Sequence, residues 1–110
     1  FWIAYLLGRS GQSAALAPLL ELAAHPSDDV RAAVAEALGR LGDRAAVETL
    51  LAMLHDDAWF VRLHASRSLA DLAATDTIPV IQAATHDASW WVRLNAFESL
   101  RRLQSTTLQP

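Results

Sequence analysis

The chain has 110 residues, 53% of them hydrophobic, with a net charge of -3, nine basic side chains that are all arginine, and no cysteine. That length suits one small domain, which buries about 60–70% of the surface its unfolded chain exposes. The composition excludes disulfides and thiolate metal sites and a membrane span of ~20 apolar residues. A mildly acidic, lysine-free chain is also poorly suited to neutralising nucleic-acid phosphates.

In chain order, Phe1-Trp2-Ile3-Ala4-Tyr5-Leu6-Leu7 is apolar but short and lacks a basic flank, so it does not read as a signal peptide. Its phase places it differently, because Leu7, Gly8 and Arg9 precede Leu38, Gly39 and Arg40 by 31 residues. The same step separates Val30-Arg31, Val61-Arg62 and Val92-Arg93, each followed eight positions after the Val by Leu38, Leu69 and Leu100. A fixed period of this length marks stacked supersecondary units rather than one undivided core.

Each unit resolves into two helices. Val47, Leu50, Leu51 and Leu54 fall at i, i+3, i+4 and i+7, the stripe of an amphipathic first helix. His55-Asp56-Asp57 makes a polar turn, and Val61, Ala65, Leu69 and Leu72 form one face of the second helix, Trp59 to Ala73. Asp43 is expected to cap a first helix; Ser27 and Ser89 are expected to cap second helices, with Asp56 or Asp57 supplying the acceptor where Ala58 replaces that serine. Gly11 and Gly42 suit left-handed stops, whereas Ala73 and Gln104 at the same position should end their helices less sharply. Pro18 should bend or delay its helix, and Pro79 should sit in a first turn after Thr75-Asp76-Thr77. The expected organisation is one array over residues 1–110: a partial unit at 1–12, full units at 13–43, 44–74 and 75–105, and the start of another at 106–110. Without polar caps at its ends, the chain reads as a piece of a longer repeat protein, and its end faces are expected to favour a homodimer or end-to-end stacking.

The string from Ser27 to Asp43, SDDVRAAVAEALGRLGD, closely resembles the HEAT-like repeat first described in phycobilisome lyases, and Asp56–Leu72 and Asp87–Leu103 are weaker copies. The resemblance spans the chain and implies an all-α fold, a right-handed α-solenoid of stacked antiparallel helix pairs. It also implies that the second helices line a concave surface whose outward positions meet a ligand. Similar repeats occur in bilin lyases, deoxyhypusine hydroxylases, DNA glycosylases of the AlkD type, scaffold proteins and an artificial library, so the resemblance fixes fold and not function.

Helical geometry independently gives the outward positions. At about 100° per residue, Trp59, Phe60, Leu63, Arg67 and Asp71 lie away from the core stripe, with His64 at its edge. The equivalents are Trp90, Trp91, Leu94, Asn95, Glu98 and Arg102 in the last copy, Glu36 and Arg40 among those of the second, and Trp2 and Tyr5 in the partial first. Seven of the eight aromatic residues fall at such positions; Phe97 does not. Trp, Tyr and Arg are enriched in binding hot spots, and a buried Trp brings gross burial of the order of 4–6 kcal/mol before association costs. Trp59, Phe60, Trp90 and Trp91 therefore read as an apolar groove margined by Arg67, Arg102 and His64, with packing between repeats as the competing account.

Arg31, Arg62 and Arg93 recur beside core valines and read as a structural ladder paired with turn carboxylates or carbonyls. His55 and His86 recur at 31 residues, with His25 one position later in its own copy; equivalent positions lie about one helix spacing, ~10 Å, apart and do not converge as metal ligands must. They are expected to finish the first helices, where the helix dipole favours a partly charged imidazole. No catalytic residue, metal site or cofactor is expected. The chain lacks the His-Glu pairs of a di-iron hydroxylase and the basic groove of a glycosylase. The expectation is a non-enzymatic, cytoplasmic scaffold module gripping a protein, peptide or helix, without nucleic acid. The alternatives are a purely structural or self-associating segment and a bilin-lyase-like subunit, for which an aromatic groove edged by Arg would suit a tetrapyrrole with propionates.

Overall fold

The computed structural model describes residues 15–72 and 78–108. Trp2, Tyr5, Gly11, Ala73 and the Thr75-Asp76-Thr77 cluster lie outside these. The described residues form α1 (Leu16–Leu22), α2 (Asp28–Leu41), a 3-10 turn (Arg44–Ala46), α3 (Val47–Met53), α4 (Trp59–Asp71), α5 (Ile78–Ala84) and α6 (Trp90–Leu108). Helices α1, α3 and α5 pack on α2, α4 and α6 respectively, and α2, α4 and α6 stack on one another in that order. This is the α-solenoid of helix pairs.

The 31-residue period is also the period of burial. Leu19, Leu50 and Ile81 occupy one repeat position and are inaccessible, as are Val34, Ala65 and Ala96 at another. Val61 and Val92 mark a third such position, and Leu38 and Leu69 a fourth. A fully buried aliphatic side chain contributes about 1.5–3 kcal/mol of hydrophobic stabilisation, so replacing a Leu, Ile or Val of a column by Ala weakens two neighbouring units at once.

Helix ends follow local chemistry with two departures. Ser27 accepts from the Val30 amide at 3.5 Å, Asp28 and Asp29 lie in the first turn of α2, and Arg40 lies in its last, which suits the macrodipole. Gly42 stops α2 at φ 76°, and its N–H donates to Leu38 O; a side chain there would be strained. Asp43 accepts from the Ala45 amide at 2.9 Å. Pro18 falls in the first turn of α1 and Pro79 in that of α5. The first departure is at α4, whose N-cap Ala58 has no side-chain acceptor. Asp56 instead accepts from the Ala58 amide at 2.9 Å, through the Oδ1 that also accepts from Arg31 Nη2. The second is at the other end, where α6 runs on through Gln104 to Leu108. With Gln104 where Gly42 stops α2, residues 105–108 continue the second helix and do not begin a new first one.

The turns between paired helices are tied by arginine. Arg31 donates through Nε and Nη2 to the two carboxylate oxygens of Asp56, at 2.8 and 3.1 Å, and through Nη1 to His25 O and Pro26 O. Arg62 repeats this with Asp87, at 2.9 and 3.0 Å, and with Asp56 O and Asp57 O. Arg93 keeps the carbonyl half, donating to Asp87 O and Ala88 O. A planar fork that grips a carboxylate two-fold and a turn with its third nitrogen fixes one unit against the next.

His25 stands where Asp56 and Asp87 stand in later units. Its Nδ1 accepts from the Ser27 amide at 3.0 Å, as Asp56 and Asp87 accept from Ala58 and Ser89. His25 Nδ1 thus takes the turn-acceptor place that a carboxylate oxygen holds in the later units.

Candidate partner-binding surface

The outward residues of the second helices separate into two stripes. At about 100° per residue, Phe60, His64, Arg67 and Asp71 share one direction on α4, and Trp91, Asn95, Glu98 and Arg102 share it on α6. The other stripe is Trp59, Leu63, Ser66 and Ala70 on α4 and Trp90, Leu94, Phe97 and Arg101 on α6. On α4, Ser66 and Ala70 in that second stripe are buried under α6. Trp59 and Trp90 therefore stand toward the inter-repeat edge, each with its ring against that of the neighbouring Phe60 or Trp91.

The first stripe faces a shallow cleft of about 250 Å³ lined by Glu36, Arg40, His64, Arg67, Ser68 and Asp71. The cleft is polar, and no aromatic side chain lines it. The rings lie at the helix starts: Trp59 and Phe60 meet edge-on at 5.6 Å, Trp90 and Trp91 at 4.6 Å. Since a helix rises ~1.5 Å per residue, Trp59 and Asp71 are separated by about 18 Å along α4. The expected apolar groove is thus an aromatic end and a charged middle.

Charges on the cleft are largely engaged. Glu36 pairs with Arg40 at 2.9 Å within α2, and Asp71 pairs with Arg102 at 3.1 Å, linking α4 to α6 across the outward face. These exposed pairs contribute little stability, about 0–1 kcal/mol each, so they remain available for exchange with a ligand's charges. The Ser68 hydroxyl is buried and donates to Ala35 O at 2.6 Å. His64 is half-buried, and its pKa is lowered first by desolvation and then by Arg67, against the opposing pull of Glu36. It is therefore a neutral imidazole at neutral pH, able to donate or accept.

Asn95 is intermediate in exposure, and its Oδ1 is buried without a hydrogen-bond partner among the described residues. Leu63 is half-buried, and Phe60 packs against the core. Arg67, Glu98, Arg102 and Trp91 are exposed. Two residues escaped the sequence reading. Ser68 lies on the core side yet borders the cleft, because α2 and α4 approach closely there. Phe97 is the most exposed large apolar side chain described, at 59%; its signal was in the column it shares with Ala35 and Ser66.

The model for HEAT repeats matches residues 2–70 and 54–110. The chain belongs to the HEAT-repeat family. HEAT repeats in general serve as protein-interaction scaffolds and are not usually catalytic. A solved chain from the complex of CpcE and CpcF of phycocyanin lyase from Nostoc sp. PCC7120 superposes with a TM-score of 0.62 at 23% identity. The match covers 94% of this chain and 59% of that one, so this HEAT array spans well under two thirds of its structural neighbour's length. None of the curated proteins matches it. Among the described residues, no helix is long and apolar enough to cross a membrane.

Proposed function

We propose that this HEAT array is a non-enzymatic interaction module that holds a peptide or helix of a protein partner across the outward faces of α2, α4 and α6. The observation that carries this reading is the polar cleft around His64 and Arg67, supported by the exposed ring of Trp91, which falls on the same helix direction one unit further on. An aromatic anchor beside adaptable charged groups is the composition of a binding hot spot with a polar rim. Non-enzymatic use is supported by how the chemically capable groups are spent: both cleft carboxylates face arginines, and Ser68 is turned into a backbone carbonyl. The lyase complex offers a second reading, a subunit acting on a tetrapyrrole, but that likeness extends to the fold alone.

Peptides selected on the intact chain from a random library provide the test. Isothermal titration should show a selected peptide losing at least tenfold in affinity, about 1.4 kcal/mol, with Trp91→Ala and with Arg67→Glu. Peptides unaffected by both substitutions would remove this face as the binding surface.

A further inference from the structure

The second stripe of α6 combines bulk and exposure in a way that neither α2 nor α4 does. At its four repeat positions α2 carries Asp28, Ala32, Ala35 and Gly39, and α4 carries Trp59, Leu63, Ser66 and Ala70. The small residues are where the next helix closes in: a Cβ built on Gly39 would lie 2.7 Å from Ser68 Cβ and 3.0 Å from Ser68 Cα. On α6 the same positions hold Trp90, Leu94, Phe97 and Arg101, the first three exposed by 56, 43 and 59%. Phe97 and Arg101 fill the space into which a serine such as Ser68 would have to enter. The face does not suit another unit stacked at the α2–α4 distance, yet it is strongly apolar.

We propose that this face is a dimer interface, occupied by the same face of a second copy of this chain in an antiparallel, two-fold α6–α6 contact. The stripe is self-complementary under that symmetry. Trp90 and Arg101 are equally far from its midpoint between Asn95 and Ala96, about 8 Å at ~1.5 Å per residue, as are Leu94 and Phe97 at about 2 Å. A two-fold axis there sets Leu94 against Phe97 of the second copy. It also lays Arg101 over the ring of Trp90, a cation–π contact instead of a like-charge clash. Two-fold closure is the commonest arrangement of identical chains and leaves no open end.

Area sets the strength. With ~150–250 Å² per whole aromatic side chain, the exposed parts of Trp90, Leu94 and Phe97 leave on the order of 300 Å² of apolar surface per copy. Paired, with their flanks, they bury about 1,000 Å², the low end of specific interfaces. An interface at that low end belongs with weak, transient contacts. It involves the other stripe, about 100° round the helix from the one that faces the cleft, and does not depend on the peptide-binding reading.

Sedimentation equilibrium of the full chain, loaded from about 1 μM to about 1 mM, tests this. The expected result is a monomer–dimer equilibrium that Phe97→Glu abolishes and Arg101→Glu weakens at least fivefold, with far-UV circular dichroism and dilute melting temperature unchanged. Arg67→Glu should leave the dimer intact while reducing peptide binding, so the two proposals fail separately. A chain that stays monomeric throughout would overturn the inference and leave the face to a different occupant. Species growing beyond two, or a dimer indifferent to Phe97→Glu, would overturn it equally.

Discussion

The seam between α2 and α4 and the outer face of α6 are built from the same positions of the same repeat, yet they have opposite character. In the seam, Ala35 and Gly39 let the next backbone approach until Ser68 donates to Ala35 O at 2.6 Å. On α6, Phe97 and Arg101 stand in their places and face solvent. The intermediate α4 has Ser66 and Ala70, both buried under α6, but Ser66 Oγ finds no hydrogen-bond partner among the described residues. Close packing in a solenoid is thus set unit by unit through side-chain size at two positions, while the hydrophobic columns stay nearly constant.

Carrying the outer face into the seam should have the largest effect. Ala35→Phe forces an aromatic ring into a buried site and is expected to cost about 3 kcal/mol or more, lowering the urea midpoint sharply. The reverse change, Phe97→Ala, should stay within about 0.5 kcal/mol in dilute protein. Next comes the arginine ladder. Arg62→Ala leaves Asp87 partly buried without its fork and should cost about 2–4 kcal/mol. Arg93→Ala, which gives up the two carbonyl contacts to Asp87 and Ala88, should cost less than half of that. Both are read from chemical denaturation.

Smaller effects separate the two seams. Ser68→Ala loses a satisfied buried hydrogen bond and should cost about 1 kcal/mol, whereas Ser99→Ala removes an unsatisfied hydroxyl and should be neutral or slightly stabilising.

The pH dependence follows from the ladder and the cleft. For Asp56 and Asp87, desolvation is the largest single influence and raises the pKa, but hydrogen bonds from arginine and from the turn amides, with the nearby charges, outweigh it and leave both carboxyls below the ordinary value. A depressed folded value means the stabilisation is complete above the usual carboxylate range and is lost as pH falls through the folded pKa. Melting temperature should therefore drop on acidification below about pH 4, and Asp87→Asn should flatten that drop at the price of a lower plateau. His64, lowered chiefly by desolvation, adds a shallower loss beginning as pH falls below about 6.5, absent in His64→Gln.

Much of the fold was legible because it is written in a period. Val61, Leu69 and their equivalents fix the phase, and an arginine repeated beside each valine invites a repeated partner. The surface was legible only in part. Helical wheels assign faces within one helix, and they place Trp59, Phe60, Leu63, Arg67 and Asp71 away from the core stripe with His64 at its edge. They do not reveal which outward positions the next helix covers. Trp59 and Trp90 were therefore merged with Trp91, although 59 and 90 share a stripe with the buried Ser66 and the exposed Phe97. Ser68 escaped because its neighbour across the seam is Gly39, 29 residues earlier in the chain.

The most direct test compares one repeat position in a closed seam and on the open face, by urea denaturation of Gly39→Ala and Arg101→Ala in dilute protein. Alanine improves helix propensity over glycine by about 1 kcal/mol, so propensity alone would stabilise the first variant. A lower midpoint is expected for Gly39→Ala, because the added methyl meets Ser68 Cβ and Cα, and an unchanged or slightly raised midpoint for Arg101→Ala. A Gly39→Ala variant more stable than the parent would contradict the close α2–α4 seam on which the comparison rests.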